Sequence, residues 1–493
     1  MTMEAKDNPS TASGDYAAMI GLWEMISDIL AGPAAIRKKP STYLPKYEKE
    51  SDAAWKLRVA SSPWRPEFED GVRGICSKPF TRKVGVDNAP DQIMGVMDAT
   101  KKRRGGLVDD IDGQGNSLHV FARDTFEWGV AKGVAAIYVS YPDTSGLRTM
   151  ADAKAANAQP YWVLIQPEEI LAVHWTKVGG KEVLSHIRMR ENTIERDGFA
   201  EVLRKRVRVI ELNEAGQIVW QLWLSEKDKD GKETWRLETD GTLNGPKGIP
   251  VVLFFTGQRF GNHGVNPPLA GLADMQIELY RALSRKDEVL TYAGSPMLKG
   301  TGMEPPTGDI TVGPKTVLFA PPAMDGVQPD WDFIQPDAAN ITEVRDDVDG
   351  IIKDMRRLAL QPMTPESGSM VATASAIDAA KANSAVQVWA NSLKDALEQA
   401  FVFTCQWMNV ADTVTVDVNT DFVVGALGDA TLNAVIALRK NNDLSRKSTL
   451  DEMERRSVLG PSFDCEQNEL ELAEEQQGLV PEPPTSQARH LNR

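Results

Sequence analysis

The chain is poor in cysteine, has no long apolar run and carries no excess of basic charge. Three cysteines, Cys76, Cys405 and Cys465, occur in 493 residues. Their odd number and wide spacing argue against a disulfide framework and a cysteine metal site, and fit a reducing interior. No stretch of about 18 consecutive apolar residues could span a membrane. The segment Met1 to Asp15 also lacks the charged-then-apolar pattern of a signal peptide, so a soluble cytoplasmic chain without membrane partners is expected. Lysine and arginine number 55 against 70 aspartates and glutamates, a formal net charge of −15. That balance argues against wrapping nucleic acid, which requires a basic face to displace counterions from phosphates. A DNA partner would slide past more than it is gripped.

Signatures of catalysis are equally sparse. The nearest approach to a phosphate-binding loop, Gly308 to Thr316, has Pro314 where the lysine should directly follow the second glycine. Proline shifts the register and removes a backbone donor, and the following segment reads as strand where the motif must open a helix. The run Asp109, Asp110, Asp112, Gly113, Gly115 resembles a calcium loop only until Phe121 falls where the bidentate glutamate belongs, so an ordinary turn before a helix is the better reading. The histidines His119, His174, His186, His263 and His490 are scattered and read as surface or satisfied core residues. No serine lies in a G-x-S-x-G elbow. Catalytic residues, metal ligands and cofactors are therefore all expected to be none. The 12 tryptophans, including Trp220, Trp223, Trp389 and Trp407, read as core rather than base-stacking platforms, since basic residues do not surround them in sequence.

What is present is a clear change of period along the chain. An apolar helical run covers Tyr16 to Ile36, interrupted at Gly32 and Pro33, and a short helix is predicted near Glu50 to Ala60. Leu118, Phe121, Ala122, Phe126 and Val130 recur at helical spacing before Gly133, after which Val134 to Tyr141 reads as a buried strand. Strands follow at Tyr161 to Ile165, Val183 to Met189, Val202 to Leu212, Gln217 to Leu224, Thr234 to Leu237 and Val251 to Phe255, making 134 to 256 a mostly antiparallel region. Beyond Pro268 the period becomes helical, with Leu272, Met275, Leu279 and Leu283 on one stripe and Arg281, Arg285 and Lys286 off it. A Gly- and Pro-rich excursion, 294 to 336, precedes a second helix predicted to start at a cap on Asn340. A loop with Pro362, Pro365 and Gly368 leads into a long helix, Thr373 to Val410, bearing the seam Trp389, Leu393, Ala396, Ala400, Phe403, Trp407. A short strand and three smaller helices close the chain.

An ordered series of short strings runs through this layout: Gly32 to Arg37 with Tyr43-Leu44-Pro45; Asp112-Gly113-Gln114-Gly115-Asn116-Ser117-Leu118; Ala131 to Pro142; Pro160-Tyr161-Trp162; Ile249-Pro250-Val251; Pro267-Pro268-Leu269 with Leu272-Ala273; and Leu444-Ser445 to Arg456. By this series the chain resembles the portal (head-to-tail connector) family of tailed bacteriophages, in a branch catalogued only as an uncharacterised phage domain. The resemblance implies an α+β portal fold with a mixed α/β wing, two-helix stem, small α/β clip, long helix and helical crown. The N-terminal region and wing would take 1–265, the first stem helix 266–293, the clip 294–337, the second stem helix 338–360, and the tunnel loop 361–371. The long helix with a return strand of the wing would take 372–425, and the crown and tail 426–493.

The resemblance further implies a non-enzymatic ring of about twelve subunits at one capsid vertex of the virion, assembled in the host cytoplasm. Double-stranded DNA would pass without sequence specificity. The terminase large subunit, the major capsid protein, a tail adaptor and a scaffolding protein would be its partners. Such a ring would carry roughly −180 formal charges, about twelve times −15. The tunnel loop would comprise Met363, Thr364, Pro365, Glu366, Ser367, Gly368, Ser369 and Met370; channel-lining candidates on the stem are Arg281, Arg285, Lys353 and Arg356, and clip-contact candidates are Met297, Leu298, Lys299, Pro305 and Pro306. For the stem cations, subunit salt bridges or a solvated helix face is an equally good reading. The rival to the whole reading is a non-conducting structural or scaffolding protein.

Overall fold

The computed structural model describes residues 8–97, 103–142, 158–227, 233–293, 297–301, 330–334, 338–359, 372–420, 429–441 and 443–455, with isolated positions 422, 459, 468 and 472. The chain is α+β and divides into two compact units. One comprises residues up to 80 and 84–418; the other comprises 81–83 and the chain from 419 onward.

The larger unit is built around two antiparallel sheets. Its innermost strand, Val134–Ser140, is buried at every position, with Val251–Phe255 and Tyr161–Ile165 on either side. An all-apolar strand of this kind is stable only when both faces are covered. Helix Leu118–Lys132 feeds directly into it through Gly133, which adopts φ +85° as the helix C-cap, a conformation that disfavours any side chain. Phe126 of that helix stacks on Phe254 with ring centroids 6.0 Å apart. The second half of the long helix, Ala372–Met408, is anchored by tryptophans: Trp162 Nε1 donates to Thr404 Oγ1 at 2.8 Å, and Trp407 Nε1 donates to the Val139 carbonyl at 3.1 Å.

The second sheet has five strands in the order Glu233–Leu243, Ile218–Lys227, Arg206–Leu212, Lys181–Arg190, Ile170–Val178. Ile187, Ile210, Val173 and Ile218 from this sheet share one apolar cluster with Ala136, Ile165 and Val251 of the first. A second cluster is closed by the N-terminal helix, Gly14–Leu30, whose Tyr16, Met19 and Trp23 pack on Val134, Leu171, Val207 and Val265. Ser13 caps this helix by accepting from the Tyr16 amide at 3.2 Å.

The predicted strand Val202 to Leu212 is two strands. Ala200–Arg204 turns back on Thr193–Asp197 as a separate hairpin through Gly198 at φ +62°, and only Arg206–Leu212 enters the large sheet. Arg206 fixes the break, since its guanidinium reaches Glu238 (2.7 and 3.0 Å), Glu195 (3.2 Å) and Thr193. The strand Ile170–Val178 has no counterpart in the sequence reading. The basic neighbours absent in sequence are supplied in space, with Arg208 5.1 Å from the Trp220 ring and Arg259 4.8 Å from Trp175; both pairs lie within the chain's own sheets.

His263 departs from the satisfied-core expectation. It is 1% exposed, Asp15 Oδ2 lies 3.9 Å from Nδ1, and the ring's only other polar neighbour of note is the Ile170 backbone, so it is at best weakly bonded. Burial lowers its pKa from the usual histidine value, with Asp15 and the Ile170 backbone opposing and His174 and Arg259 assisting. His186 is also lowered, chiefly by burial. Below about 6.5 the unfolded chain takes up protons that these folded imidazoles refuse, so stability must fall on acidification through that value. The urea midpoint is expected to drop between about pH 7 and pH 5, and less steeply in His263→Leu; an unchanged slope in the variant counts against His263 as a contributor.

In the smaller unit, helices Asp429–Lys440 and Arg446–Arg455 pack together, with Ser445 Oγ accepting from the Ser448 amide at 3.0 Å as the second helix's cap.

Candidate functional site

The helical period after Pro268 forms two helices that pack on one another, Ala270–Ala293 and Ala338–Leu358. Leu272, Ala273, Ile277, Leu279, Tyr280 and Leu283 of the first are buried, a broader stripe than the sequence suggests, and Met275 is half-buried at its edge. The second helix buries Val348, Ile352 and Met355, followed by Ala359. It begins at Ala338, so Asn340 lies within its first turn rather than at its cap. Two strands lie between these helices in sequence, Met297–Thr301 and Asp330–Ile334, paired antiparallel with Met297 opposite Ile334. The excursion therefore leaves the pair and returns to it on adjacent strands.

A third helix, Glu67–Cys76, packs against both members of the pair and was not read from the sequence. Its signal was present, since Phe68, Val72 and Ile75 recur at helical spacing, but it is only 10 residues long. Gln276, fully buried, accepts from the Phe68 amide at 2.9 Å and donates to the Arg65 carbonyl at 2.8 Å. The largely buried Glu67 carboxylate accepts from Arg356 at 3.1 and 3.3 Å. Ser62 and Ser284 join their hydroxyls at 2.8 Å in the interior. Residues 62–68 thus bond to both members of the helix pair.

Arg281, Arg285, Lys353 and Arg356 differ in their surroundings. Arg356 is held by Glu67, and Arg281 donates to the carbonyls of Tyr43 (2.9 Å) and Thr42 (3.2 Å). Arg285 and Lys353 are exposed. Asp274, Glu278, Arg281 and Arg285, spaced at four, three and four residues, form one outward stripe beside a cleft of about 650 Å³ that Lys46, Tyr47 and Ile277 also line. The outer surface of the second helix is acidic over its first turns, with Glu343, Asp346, Asp347 and Asp349 exposed, and becomes basic at Arg356 and Arg357. That order matches the helix dipole. Lys299 is exposed on its strand, which Met297 and Leu298 share; Pro305, Pro306 and all of Met363 to Met370 lie outside the described residues, as does His490.

The acidic loop is a turn. Asp112 accepts from the amides of Gln114 (2.9 Å) and Asn116 (3.2 Å) and from the Asn116 side chain, while Asp110 accepts from the Gly115 amide at 2.8 Å. Its carboxylates are occupied by the loop's own donors. Among the described residues no group of three or more His, Cys, Asp or Glu side chains is placed to hold a metal ion, and no helix is long and apolar enough to cross a membrane. Burial raises the Cys405 thiol to about 11 and raises Cys76 as well, which leaves both thiols protonated near neutrality.

Residues 268–408 match a family described as a domain of unknown function, DUF4055. The match begins just before the first helix of the pair and ends at the last residue of the long helix. No curated protein matches the chain. Among solved structures, it is similar to a chain in the virion of a native gene transfer agent particle (10% identity, TM-score 0.38, 90% of this chain and 98% of that one). It is also similar to chains in two neck structures of that agent. One is from the native particle computed with C12 symmetry (10%, TM-score 0.41, 80% and 90%). The other is from the empty particle computed with C6 symmetry (11%, TM-score 0.41, 84% and 95%).

Proposed function

We propose that the chain is a non-enzymatic structural subunit of the head-to-tail junction of a phage-like particle, and more narrowly a portal subunit. The carrying observation is the unit 268–408, in which two packed helices flank a paired-strand excursion and a 37-residue helix follows. In a portal ring this unit supplies the stem, the clip and the long helix behind the tunnel loop. The acidic outer turns of the second helix and the chain's −15 charge suit a conduit, because carboxylates repel phosphate and keep a passing duplex from adhering. Translocation energy would come from a separate ATPase docked on the clip, with capsid protein, scaffold and tail adaptor contacting other faces. Arg356 and Arg281 serve the subunit's own packing in this reading, and the exposed Arg285 is the stem cation it offers to the channel or a neighbour.

Native mass measurement followed by negative-stain electron microscopy tests the proposal. Rings of about twelve subunits with an axial opening of at least ~20 Å, wider than the roughly 12 Å major groove of the duplex, are expected. Filaments or particles lacking a channel would favour the rival, a non-conducting structural or scaffolding protein. Removal of Pro365 to Ser369 is expected to leave rings of the same size while DNA filling or retention in particles is impaired in a packaging assay; normal filling would remove the tunnel-loop assignment.

A further inference from the structure

The two helices of the pair, Ala270–Ala293 and Ala338–Leu358, each present an outward stripe of four positions spaced at four, three and four residues. On the first helix the stripe is Asp274, Glu278, Arg281, Arg285; on the second it is Asp346, Gly350, Lys353, Arg357, and every charged member is exposed. Asp274, Glu278, Arg285 and Arg357 make no hydrogen bond or ion pair among the described residues, and Asp346 makes only a loose 3.8 Å contact with its sequence neighbour Arg345. Both stripes run from acidic to basic. Laid antiparallel, they set Asp274 against Arg357, Glu278 against Lys353 and Arg285 against Asp346. Laid parallel, Asp274 would meet Asp346, and Arg281 and Arg285 would meet Lys353 and Arg357.

The remaining position of the antiparallel match is Arg281 against Gly350. Arg281 is folded onto the carbonyls of Tyr43 and Thr42, and Gly350 offers no side chain. A Cβ on Gly350 would have nothing within 4 Å, so packing inside the chain does not call for glycine there, although glycine weakens a helix interior relative to alanine. Close approach of another helix does call for it. One turn further on, Glu288 would face Glu343, but it is turned to Tyr47 (3.4 Å) and Arg58 (3.9 Å) of its own chain. Each stripe lies on the side of its helix away from the residues buried in the pair, so the two do not meet within one chain.

We propose that the first helix of one copy docks antiparallel on the second helix of a neighbouring copy through these stripes. This deepens the ring reading and rests on it. The helices already run antiparallel within the chain, since it leaves the first and returns by the second on paired antiparallel strands. Leu272 and Ala359 are level with one another, both abutting Gly71, and Gln276 and Arg356, bonded to Phe68 and Glu67, agree with that level to within one residue. The same register puts Asp274 level with Arg357, Glu278 with Lys353, Arg281 with Gly350 and Arg285 with Asp346. A ring turns each copy about one axis without rise, so for an axis along the pair, residues level within one chain are level between neighbours. The register that matches the charges is therefore the one that closure imposes. Exposed ion pairs of this kind fix direction and register more than affinity. The contact uses only Asp346 of the second helix's acidic turns, leaving Asp347 and Asp349 outside it.

The test follows assembly of the full chain by native mass measurement and negative-stain images. Arg285→Glu and Asp346→Arg are each expected to raise the concentration for half-assembly by about tenfold or more, because each sets like charges opposite at every junction, and together they are expected to restore it. Gly350→Gln is expected to impair assembly while the unassembled chain melts no lower, which separates a blocked contact from misfolding. Rings of normal size that are indifferent to all three substitutions overturn the stripe contact and leave the ring reading standing. The first helix's stripe could also meet its own copy about a two-fold axis; a closed dimer in which Asp274→Arg, and not Asp346→Arg, rescues Arg285→Glu overturns both. A wild-type chain that forms no ring likewise overturns both.

Discussion

Replacing Lys132 with methionine is expected to destabilise the folded chain by about 3 kcal/mol, the lower end of the range for breaking a buried ion pair. Lys132 is the last residue of the helix that feeds the central strand, and its side chain is fully buried. Its ammonium contacts the Glu168 carboxylate, donates to Gln166 Oε1 at 3.0 Å and lies 4.2 Å from the Trp128 ring centroid. Burial lowers its pKa, and the Glu168 charge works against that shift. The low-end magnitude follows from Glu168, whose side chain keeps 16% exposure and also accepts from Ser27. The methionine variant strands that carboxylate beneath the N-terminal helix, with Glu168 Oε2 already lacking a partner. Urea unfolding should show a lower midpoint at unchanged slope. In Lys132→Met with Glu168→Gln, most of the loss should return, because the stranded charge is gone. Equal losses in the single and double variants would instead assign the effect to lost packing of the lysine stem.

The elements legible in the sequence are those whose apolar pattern holds unchanged along their length. Val134–Ser140 and Tyr161–Ile165 are found where the apolar pattern puts them, and Ala372–Met408 lies within two residues of its predicted limits at each end. Ile170–Val178 escaped because its pattern changes midway: its first four residues are buried and of the rest only Trp175 is half-buried, giving neither strict alternation nor a continuous apolar run. The hairpin around Gly198 escaped for a related reason. Its strands expose Ile194 and Leu203, so no buried face imposes a period on them. The two helices of the pair were readable from their stripes, but the partners of Arg281 and Arg356 were not. Thr42 and Tyr43 lie more than 230 residues from Arg281, and Glu67 is 289 residues from Arg356. Contacts of that separation leave no mark on local periodicity. A stripe identifies the outward side of a helix without telling whether solvent, a neighbour or the chain's own N-terminal region waits there.

Gly71→Leu is expected to cost about 3 kcal/mol, near the upper end of the range for overpacking a core, and to act where the helix pair is set. A Cβ at residue 71 would stand 2.9 Å from the Ala359 Cβ and 3.3 Å from Leu272 Cδ2, so the third helix touches both members of the pair through the absence of a side chain. Helix propensity runs the other way. In an exposed helix, glycine to alanine gains about 1 kcal/mol, so Gly71→Ala weighs that gain against the overlap with Ala359 and should be close to neutral or mildly destabilising. Leucine adds three carbons to the clash with little further propensity, so sterics must win. The pairwise check is Ala359→Gly: in the Gly71→Ala background it removes the nearest clashing atom, and the two substitutions should couple favourably beyond the sum of their separate effects, as neighbours sharing a contact do. Additive behaviour would mean that the helices separate without cost. It would then follow that Gln276 and Glu67, and not close packing at Gly71, determine how the helix pair is held.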